Sequence, residues 1–270
     1  MNVKSENKVI AIIISGPIYV RNYLLTNALD ELEKKNKIIL LVSEELISIK
    51  NDKRFTKYKI IGYKYPKFLE RCVRTLNEIS LFKNAESSKD FSYRIKRKYN
   101  HTPHLNDGTL NARRIDFRVK IFLAKYFFKL ISKTPIDRLI KNITTKLFEY
   151  YSPIQKAIKA EGANTLICPC SAAGAEEFDL GAYTSNHLNK AKTLLIVDNW
   201  DNLSSKYVMS HLPTHTVVWG EQTKLHGIIF QKIKPDKITA LGTPRFFCYS
   251  KDFKYKKTNS FVLPKLPAKY

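Results

Sequence analysis

The sequence lacks the signatures of several large protein classes. Its four cysteines have neither zinc-ligand nor disulfide-framework spacing, which favours a reducing, cytoplasmic setting. No apolar run approaches the roughly 18 residues that a membrane span needs. The apolar run beginning at Val9 has no small-residue cleavage site after it, so it indicates a buried strand rather than a signal peptide. Neither G-x-G-x-x-G nor a P-loop occurs, so the dinucleotide and ATP fingerprints are absent.

Acidic residues are scarce compared with basic ones. The 24 Asp and Glu face 47 Lys and Arg, a net charge of +23, and residues 51–150 carry 15 of those excess positive charges. Such a basic segment suits nucleic acid, an anionic membrane surface or a phosphate-bearing substrate, and it also arises from a Lys-rich composition alone. No zinc-finger, helix-turn-helix or RNP motif occurs, which argues against nucleic acid as the partner.

Hydrophobic periodicity predicts alternating strands and helices. Buried apolar runs predict strands at 9–14, 37–42, 58–63, 165–168, 193–197, 216–219 and 237–241. Helical spacing predicts helices at 18–35, 66–82, 113–132, 135–151, 172–188 and 221–232. We expect an α/β fold: a Rossmann-like parallel sheet with helices on both faces, in one domain over 1–250. The basic segment 66–160 is interpreted as a helical insertion or as helices that cover the sheet.

The most unusual segment follows the predicted strand 193–197. In open α/β sheets ligands bind outside the carboxyl ends of the strands, which is where this loop lies. Its carboxylates, amides, hydroxyls, amine and indole suit a polyhydroxylated ligand, because polar groups bond hydroxyls and an indole stacks on sugar faces. The alternative is an Asx-turn and helix cap. The candidate residues are Asp198, Asn199, Trp200, Asp201, Asn202, Ser204, Ser205 and Lys206.

Three other strand ends carry candidate ligand-binding residues. Each has an alternative explanation: Glu221 caps a helix, Gly242 belongs to a Gly-Pro turn, and Arg21 and Asn22 form an exposed pair. Because all strands of a parallel sheet end at one edge, we expect these residues to line one cleft with the 198–206 loop. They are Arg21, Asn22, Glu221, Gln222, Gly242 and Arg245.

The histidines and cysteines give weaker indications. His211, His215 and His226 lie near the expected cleft, where one of them is a candidate general base. The alternative is that each is an ordinary polar histidine of the surface or core. Cys168-Pro169-Cys170 lacks the C-x-x-C spacing of redox motifs and is interpreted as structural. No residue cluster predicts a metal, and no cofactor is expected.

Three motifs, in this order and spacing, resemble a known family. They are VDNWDNLSSK at 197–206, VVWGEQTKLHG at 217–227 and ITALGTPRF at 238–246. Together with the βαβ-like start at 20–41, they resemble bacterial GT-B glycosyltransferase-like proteins of capsule and surface-polysaccharide biosynthesis. That family is distantly similar to CDP-glycerol glycerophosphotransferases and UDP-GlcNAc 2-epimerases. The segment 51–160 carries no part of the resemblance.

The resemblance implies an acceptor-side domain. In GT-B proteins the N-terminal domain holds the acceptor and supplies the base, so Asp198, Asp201 and Glu221 are the candidate catalytic residues and the other candidates bind substrate. Where the family has an acidic residue after Arg-Phe, this sequence has Phe247. Residues 251–270 then stand where a donor domain would begin, so we expect the chain to be inactive alone, with its donor domain either on a separate chain or lost by truncation. The implied partner is a glycan or lipid-linked acceptor.

Residues 113–132 suggest a contact with the membrane. Phe117, Ile121, Ala124, Phe128 and Ile131 form one apolar stripe of a basic helix. Such helices lie on anionic bilayers, which would place the protein peripherally at the inner face of the membrane. In the alternative, the stripe packs on the sheet and the lysines are solvated. The competing function is therefore a non-catalytic basic protein that binds nucleic acid or anionic membrane.

Overall fold

One seven-stranded sheet organises the chain. The computed structural model describes residues 8–100, 112–170, 174–187, 192–199 and 202–242. All strand pairs are parallel, in the order β3-β2-β1-β4-β5-β6-β7, which confirms the predicted Rossmann-like α/β fold. The strands are β1 (Lys8–Ile14), β2 (Asn36–Ser43), β3 (Lys59–Tyr63), β4 (Thr165–Cys170), β5 (Lys192–Val197), β6 (His215–Val218) and β7 (Ile238–Ala240).

Helical elements connect these strands. Within the described ranges they comprise α-helices, two π-helices (Val20–Leu24 and Asn202–Lys206) and three 3-10 helices (Glu44–Asn51, Lys53–Phe55 and Pro235–Lys237). The α-helices are α1 (Pro17–Tyr19), α2 (Asp30–Glu33), α3 (Lys67–Lys83), α4 (Lys89–Asn100), α5 (Ala112–Ser132), α6 (Ile136–Tyr151), α7 (Pro153–Glu161), α8 (Ala175–Asn186) and α9 (Glu221–Gln231). Residues 101–108, where the sequence HTPHLNDG is typical of a loop, and the tail at 251–270 lie outside the described residues.

The sheet has a hydrophobic core on each face. Alternate residues of a strand point to opposite faces, so Ala11 and Ile13 join one buried cluster while Ile12 and Ile14 join the other. The first cluster also contains Leu69 of α3 and other residues of α6, α7 and α8. Much of the basic segment 66–160 therefore covers this face of the sheet. The second cluster is closed by residues 19–29 and by the 3-10 helices after β2.

The segment 18–35 is not the single helix that its apolar spacing predicts. It divides into α1, a π-helix and α2, with non-helical residues between the last two. The Thr26 hydroxyl donates to the carbonyl of Asn22 at 2.7 Å and accepts from the amide of Ala28 at 3.2 Å. Such side-chain bonds compete with the backbone bonds of a helix. Leu25 and its apolar neighbours are buried all the same, which is why the periodicity is present.

A proline separates the carboxyl ends of β1 and β4. β4 pairs with β5 along its whole length, whereas its pairing with β1 ends at Ile167. Pro169, two residues further on, has no N–H to donate. The loops after β1 and β4 lead in opposite directions along the sheet, since β2 follows β1 on one side and β5 follows β4 on the other. In open α/β sheets this switch point is the usual ligand crevice.

Candidate functional site

Three helices that follow strands have a glycine as their N-cap. Gly16, Gly174 and Gly220 are the N-caps of α1, α8 and α9, all in extended backbone and without a side-chain cap. Residues 171–173, between β4 and Gly174, lie outside the described residues. As glycines, Gly174 and Gly220 supply no capping side chain to α8 and α9 at the carboxyl edge of the sheet. The longer of these helices, α8, belongs to the strand that borders the switch point.

A hydrogen bond joins the loop after β5 to the segment after β1. Tyr23 Oη donates to Asp198 Oδ1 at 3.0 Å, and both side chains are at least 96% buried. The bond crosses the end of β4, which lies between β1 and β5. Burial and the neighbouring Asp198 raise the pKa of Tyr23, so its hydroxyl stays protonated and acts as a donor. The bond fixes the two loops in one position.

Both π-helices of the described residues lie in these joined segments. One carries Arg21 and Asn22, and the other comprises residues 202–206. π-helical turns are rare and occur frequently at functional sites. The second is anchored at its carbonyls: Gln231 Nε2 donates to Leu203 O at 2.6 Å, and Ser88 Oγ donates to Ser204 O at 3.0 Å. Gln231 of α9 and Ser88, the residue before α4, therefore fix the backbone of this second π-helix.

Asn22 has a donor with no partner in the described residues. Its side chain is 3% exposed, and Arg21 Nε donates to its Oδ1 at 3.2 Å. That bond fixes the orientation of the amide, because Oδ1 must face the guanidinium. Nδ2 is then left without an acceptor among the described residues. A buried donor without a partner costs about 1–3 kcal/mol, which a ligand acceptor would offset.

A cavity of about 510 Å³ opens beside Lys206. It lies between α3, α4 and the N-terminus of α8. Neither Arg74 nor Arg94 has a carboxylate partner among the described residues, whereas Lys98 is paired with Glu78. Two guanidinium groups beside the N-terminus of a helix suit a phosphate or carboxylate. The charged residues of the lining are Glu70, Arg74, Glu78, Arg94, Lys98, Glu176 and Lys206.

Helix α8 rests on a buried cluster of carboxyl and hydroxyl groups. Tyr63 Oη donates to Glu176 Oε1 at 3.0 Å, and Tyr65 Oη donates to Asp179 Oδ2 at 2.9 Å. Gln155 Nε2 donates to Asp179 Oδ1 at 2.7 Å, and the Ser152 hydroxyl also donates to this carboxylate. Burial raises the pKa of Asp179 to about 7 and also raises that of Glu176. Sequence reasoning missed this cluster, whose tyrosine partners lie more than 100 residues away along the chain.

The other predicted site residues are placed as follows. Ser204 is buried, while Asn199, Ser205 and Lys206 are partly buried. Glu221 and Gln222 are exposed in the first turn of α9, and Gly242 follows β7 with a φ of 83°. Trp200, Asp201, Arg245 and the side chain of Asn202 lie outside the described residues. The structure thus brings the segment that carries Asn22 to Asp198 through the Tyr23 bond.

Two of the three candidate histidines are placed away from the cleft. His211 is wedged between α6 and α8, where Thr145 Oγ1 lies 2.8 Å from Nε2 and Ser185 Oγ lies 3.0 Å from Nδ1. Burial lowers the pKa of His211 to about 3. His215 begins β6, so it lies at the opposite, amino edge of the sheet. The prediction of a cleft histidine is therefore wrong for these two.

The described residues offer no other obvious chemistry. Cys168 is buried in β4, and that burial raises the pKa of its thiol, which opposes a nucleophilic role. No group of three or more metal-ligating side chains occurs in the part of the chain that the structure describes. None of the described helices is long and apolar enough to cross a membrane. Comparisons with protein-family models, with curated proteins and with solved structures find no match to this chain.

Proposed function

We propose that the chain is the acceptor-binding domain of a glycosyltransferase-like protein of bacterial surface-polysaccharide synthesis. The single observation that carries the proposal is the Tyr23–Asp198 hydrogen bond. It joins the segments after β1 and β5, which hold both π-helices and most of the candidate polar residues. The acceptor would lie over the carboxyl ends of β1, β4 and β5, at the switch point where ligands of such sheets bind.

The polar groups at this edge suit a phosphate-bearing sugar. Asn22 Nδ2 is a buried donor for a sugar hydroxyl or phosphate oxygen. In the adjoining cavity, Arg74, Arg94 and the N-terminus of α8 supply positive charge for a phosphate. The volume of about 510 Å³ falls in the usual range of small-molecule sites. The acceptor class is therefore a glycan that carries phosphate, as a lipid-linked sugar does.

The three candidate carboxylates have different positions in this proposal. Asp198 is buried and accepts from Tyr23, so it is a positioning residue for the two loops. Glu221 is exposed at the start of α9 and is the carboxylate that a substrate hydroxyl can reach. It is thus the candidate base for the acceptor hydroxyl. Asp201 lies outside the described residues.

The experiment compares two probes by ligand-observed NMR: N-acetylglucosamine 1-phosphate and N-acetylglucosamine. We expect the phosphorylated sugar to bind at least tenfold more tightly, since the phosphate meets two guanidinium groups that pair with no carboxylate of the described residues. Arg74→Ala with Arg94→Ala should abolish that difference. The matched control is Arg71→Ala with Arg97→Ala, which removes two exposed cations from the same helices outside the cavity lining.

The control decides what a loss of binding means. If both double variants lose the same affinity, the binding is a general attraction to a basic surface and the proposed site is wrong. If the wild type binds the two sugars equally, the phosphate has no role in the cavity and the acceptor class is wrong. The proposal requires that the Arg71/Arg97 variant bind the phosphorylated sugar as tightly as the wild type does, while the Arg74/Arg94 variant loses that affinity.

A further inference from the structure

Helix α5 has two apolar faces, and only one is packed. The face predicted from the sequence includes Ile121 and Phe128, both partly buried. Phe128 stacks on Phe82 of α3 with ring centroids 6.2 Å apart. The predicted stripe thus packs on helix α3 and not directly on the sheet, which was the alternative interpretation. The side chains of Phe117, Arg113, Arg114 and Arg118 lie outside the described part of the helix.

The second face of α5 is exposed. Its six large apolar side chains follow one another at spacings of three and one, which places them on one side of a helix. Each is between 50% and 69% exposed: Val119, Phe122, Leu123, Tyr126, Phe127 and Leu130. The neighbouring helix α6 adds Ile136, Leu139 and Ile143, which are 42–59% exposed. Single exposed apolar residues are ordinary, but a row of this length marks an interaction surface.

Cations accompany this outer face. Lys129 and Lys133 are exposed on its flank, and Lys146 is exposed on α6. The sequence from 117 to 136 contains no acidic residue. Asp137 follows this range on α6 and is paired with Lys83. The outer face therefore combines Phe and Leu side chains with exposed lysines.

We propose that the outer face of α5, with its exposed neighbours on α6, docks on an anionic phospholipid bilayer. Phe and Leu side chains enter the boundary between headgroups and acyl chains, while Tyr and Lys reach the headgroups from an interfacial helix. The helix lies in the membrane plane, since α5 is not apolar enough to cross a bilayer. This inference does not rest on the proposed acceptor site.

Charge favours an anionic bilayer, rather than a second copy of the chain or the segment 243–270, as the partner of the outer face. A second copy would bring the same lysine-flanked face against itself, in a chain whose net charge is +23. Residues 243–270 carry seven cations and one acidic residue, so this segment is repelled by the same flank. Anionic headgroups supply the opposite charge and acyl chains the apolar medium, and a bilayer offers both at once.

The experiment is sedimentation of the full chain with two kinds of vesicle, phosphatidylcholine alone and phosphatidylcholine with about 30% phosphatidylglycerol. We expect the wild type to sediment with the anionic vesicles and at least tenfold less with the neutral ones. Phe122→Ser with Phe127→Ser should reduce partitioning at least tenfold. The matched control is Leu225→Ser with Ile229→Ser, which removes two exposed apolar side chains from α9 and should bind like the wild type.

A fluorescent probe tests the same face without removing it. Phe127→Trp should show a blue-shifted emission on anionic vesicles and quenching by brominated lipid, whereas Leu225→Trp should show neither. The proposal is overturned if the wild type stays in the supernatant at low salt, or if the Phe122/Phe127 variant sediments unchanged. It is also overturned if sedimentation velocity without lipid reveals a dimer that this variant abolishes, since the face would then bind a second copy.

Discussion

Tyr23 and Asp198, which lie 175 positions apart in the chain, are joined by a 3.0 Å hydrogen bond at the carboxyl edge of the sheet. The bond spans the end of β4 and connects the only two segments of the described residues that adopt π-helical geometry. It is the structural link between the start of the domain and the polar loop after β5. The proposed acceptor site is built on this pair.

Loss of the Tyr23 hydroxyl should weaken the domain. Tyr23→Phe removes a buried donor to a carboxylate, and we expect the free energy of unfolding to fall by about 1.5–3 kcal/mol. Tyr150→Phe, at a tyrosine that is 69% exposed, is the control and should change it by less than about 0.5 kcal/mol. Urea denaturation of the three proteins measures the difference. Equal stability of all three would mean that the bond contributes nothing.

Gly181 should not tolerate a side chain. A Cβ there would lie 2.6 Å from Cβ of His211 and 3.0 Å from its backbone carbonyl. Gly181→Ala should therefore destabilise the domain by about 1–3 kcal/mol through overpacking. At Gly220 a Cβ would meet nothing within 4 Å, so Gly220→Ala serves as the control for the change of glycine to alanine. If thermal unfolding gives the same midpoint for both variants, α8 and the 208–212 segment are not in close contact.

The stability of the domain should depend on the protonation of Asp179. Its pKa is about 7 in the folded chain and roughly 4 in an unfolded one, so between these values the folded state holds a proton that the unfolded state has lost. The stabilisation of the folded state by this proton is fully present below about pH 4 and is lost as the pH rises to about 7. Relative to Asp179→Asn, the free energy of unfolding of the wild type should fall by roughly 2–4 kcal/mol from pH 4 to pH 8.

Urea denaturation at a series of pH values measures this difference. The buried groups around Asp179 are Tyr65, Ser152, Gln155 and Glu176, and all of them remain in the variant. Asp236→Asn, at an exposed carboxylate, is the control and should follow the wild-type curve at every pH. A constant difference between wild type and Asp179→Asn across the range would contradict the raised pKa.

His211 should stay neutral in mildly acidic solution. Its pKa is lowered to about 3 by burial and by the nearby Lys141, and both ring nitrogens lie within hydrogen-bond distance of hydroxyls. Because the unfolded histidine binds a proton near pH 6.5, this group favours folding above that pH and loses its contribution as the pH falls. NMR of the ring nitrogens should show a neutral imidazole at pH 5. A ring that titrates near pH 6.5 would place His211 in solvent.

The sequence predicted the strands well and the contacts of the site poorly. All seven strands were predicted because buried parallel strands are continuous apolar runs, as in β1 and β2. The prediction of a single helix at 18–35 was wrong, because apolar spacing does not reveal that the Thr26 hydroxyl donates a hydrogen bond to the Asn22 carbonyl. The apolar stripe on α5 was predicted, but the sequence of a helix that is apolar on two sides does not show which side packs on the rest of the domain.

The cluster beneath α8 and the lining of the cavity have no local signal in the sequence. Asp179 meets Tyr65 across 114 positions, and Tyr63 meets Glu176 across 113. Arg74 and Arg94 belong to a basic segment in which many cations look alike, and only the packing of α3, α4 and α8 brings these two to one cavity. Contacts of this kind depend on the topology of the chain and not on the spacing of residues in one element.

The most direct test of the acceptor site is photo-crosslinking with a sugar phosphate that carries a diazirine, followed by mass spectrometry of the labelled peptides. The account predicts labels in peptides that contain residues 15–24, 174–177 and 202–206, which follow β1, β4 and β5 at the carboxyl edge of the sheet. Excess N-acetylglucosamine 1-phosphate should suppress these labels. Labels confined to the amino edge, around His215 and Asn164, or spread evenly over the lysine-rich helices would contradict the account.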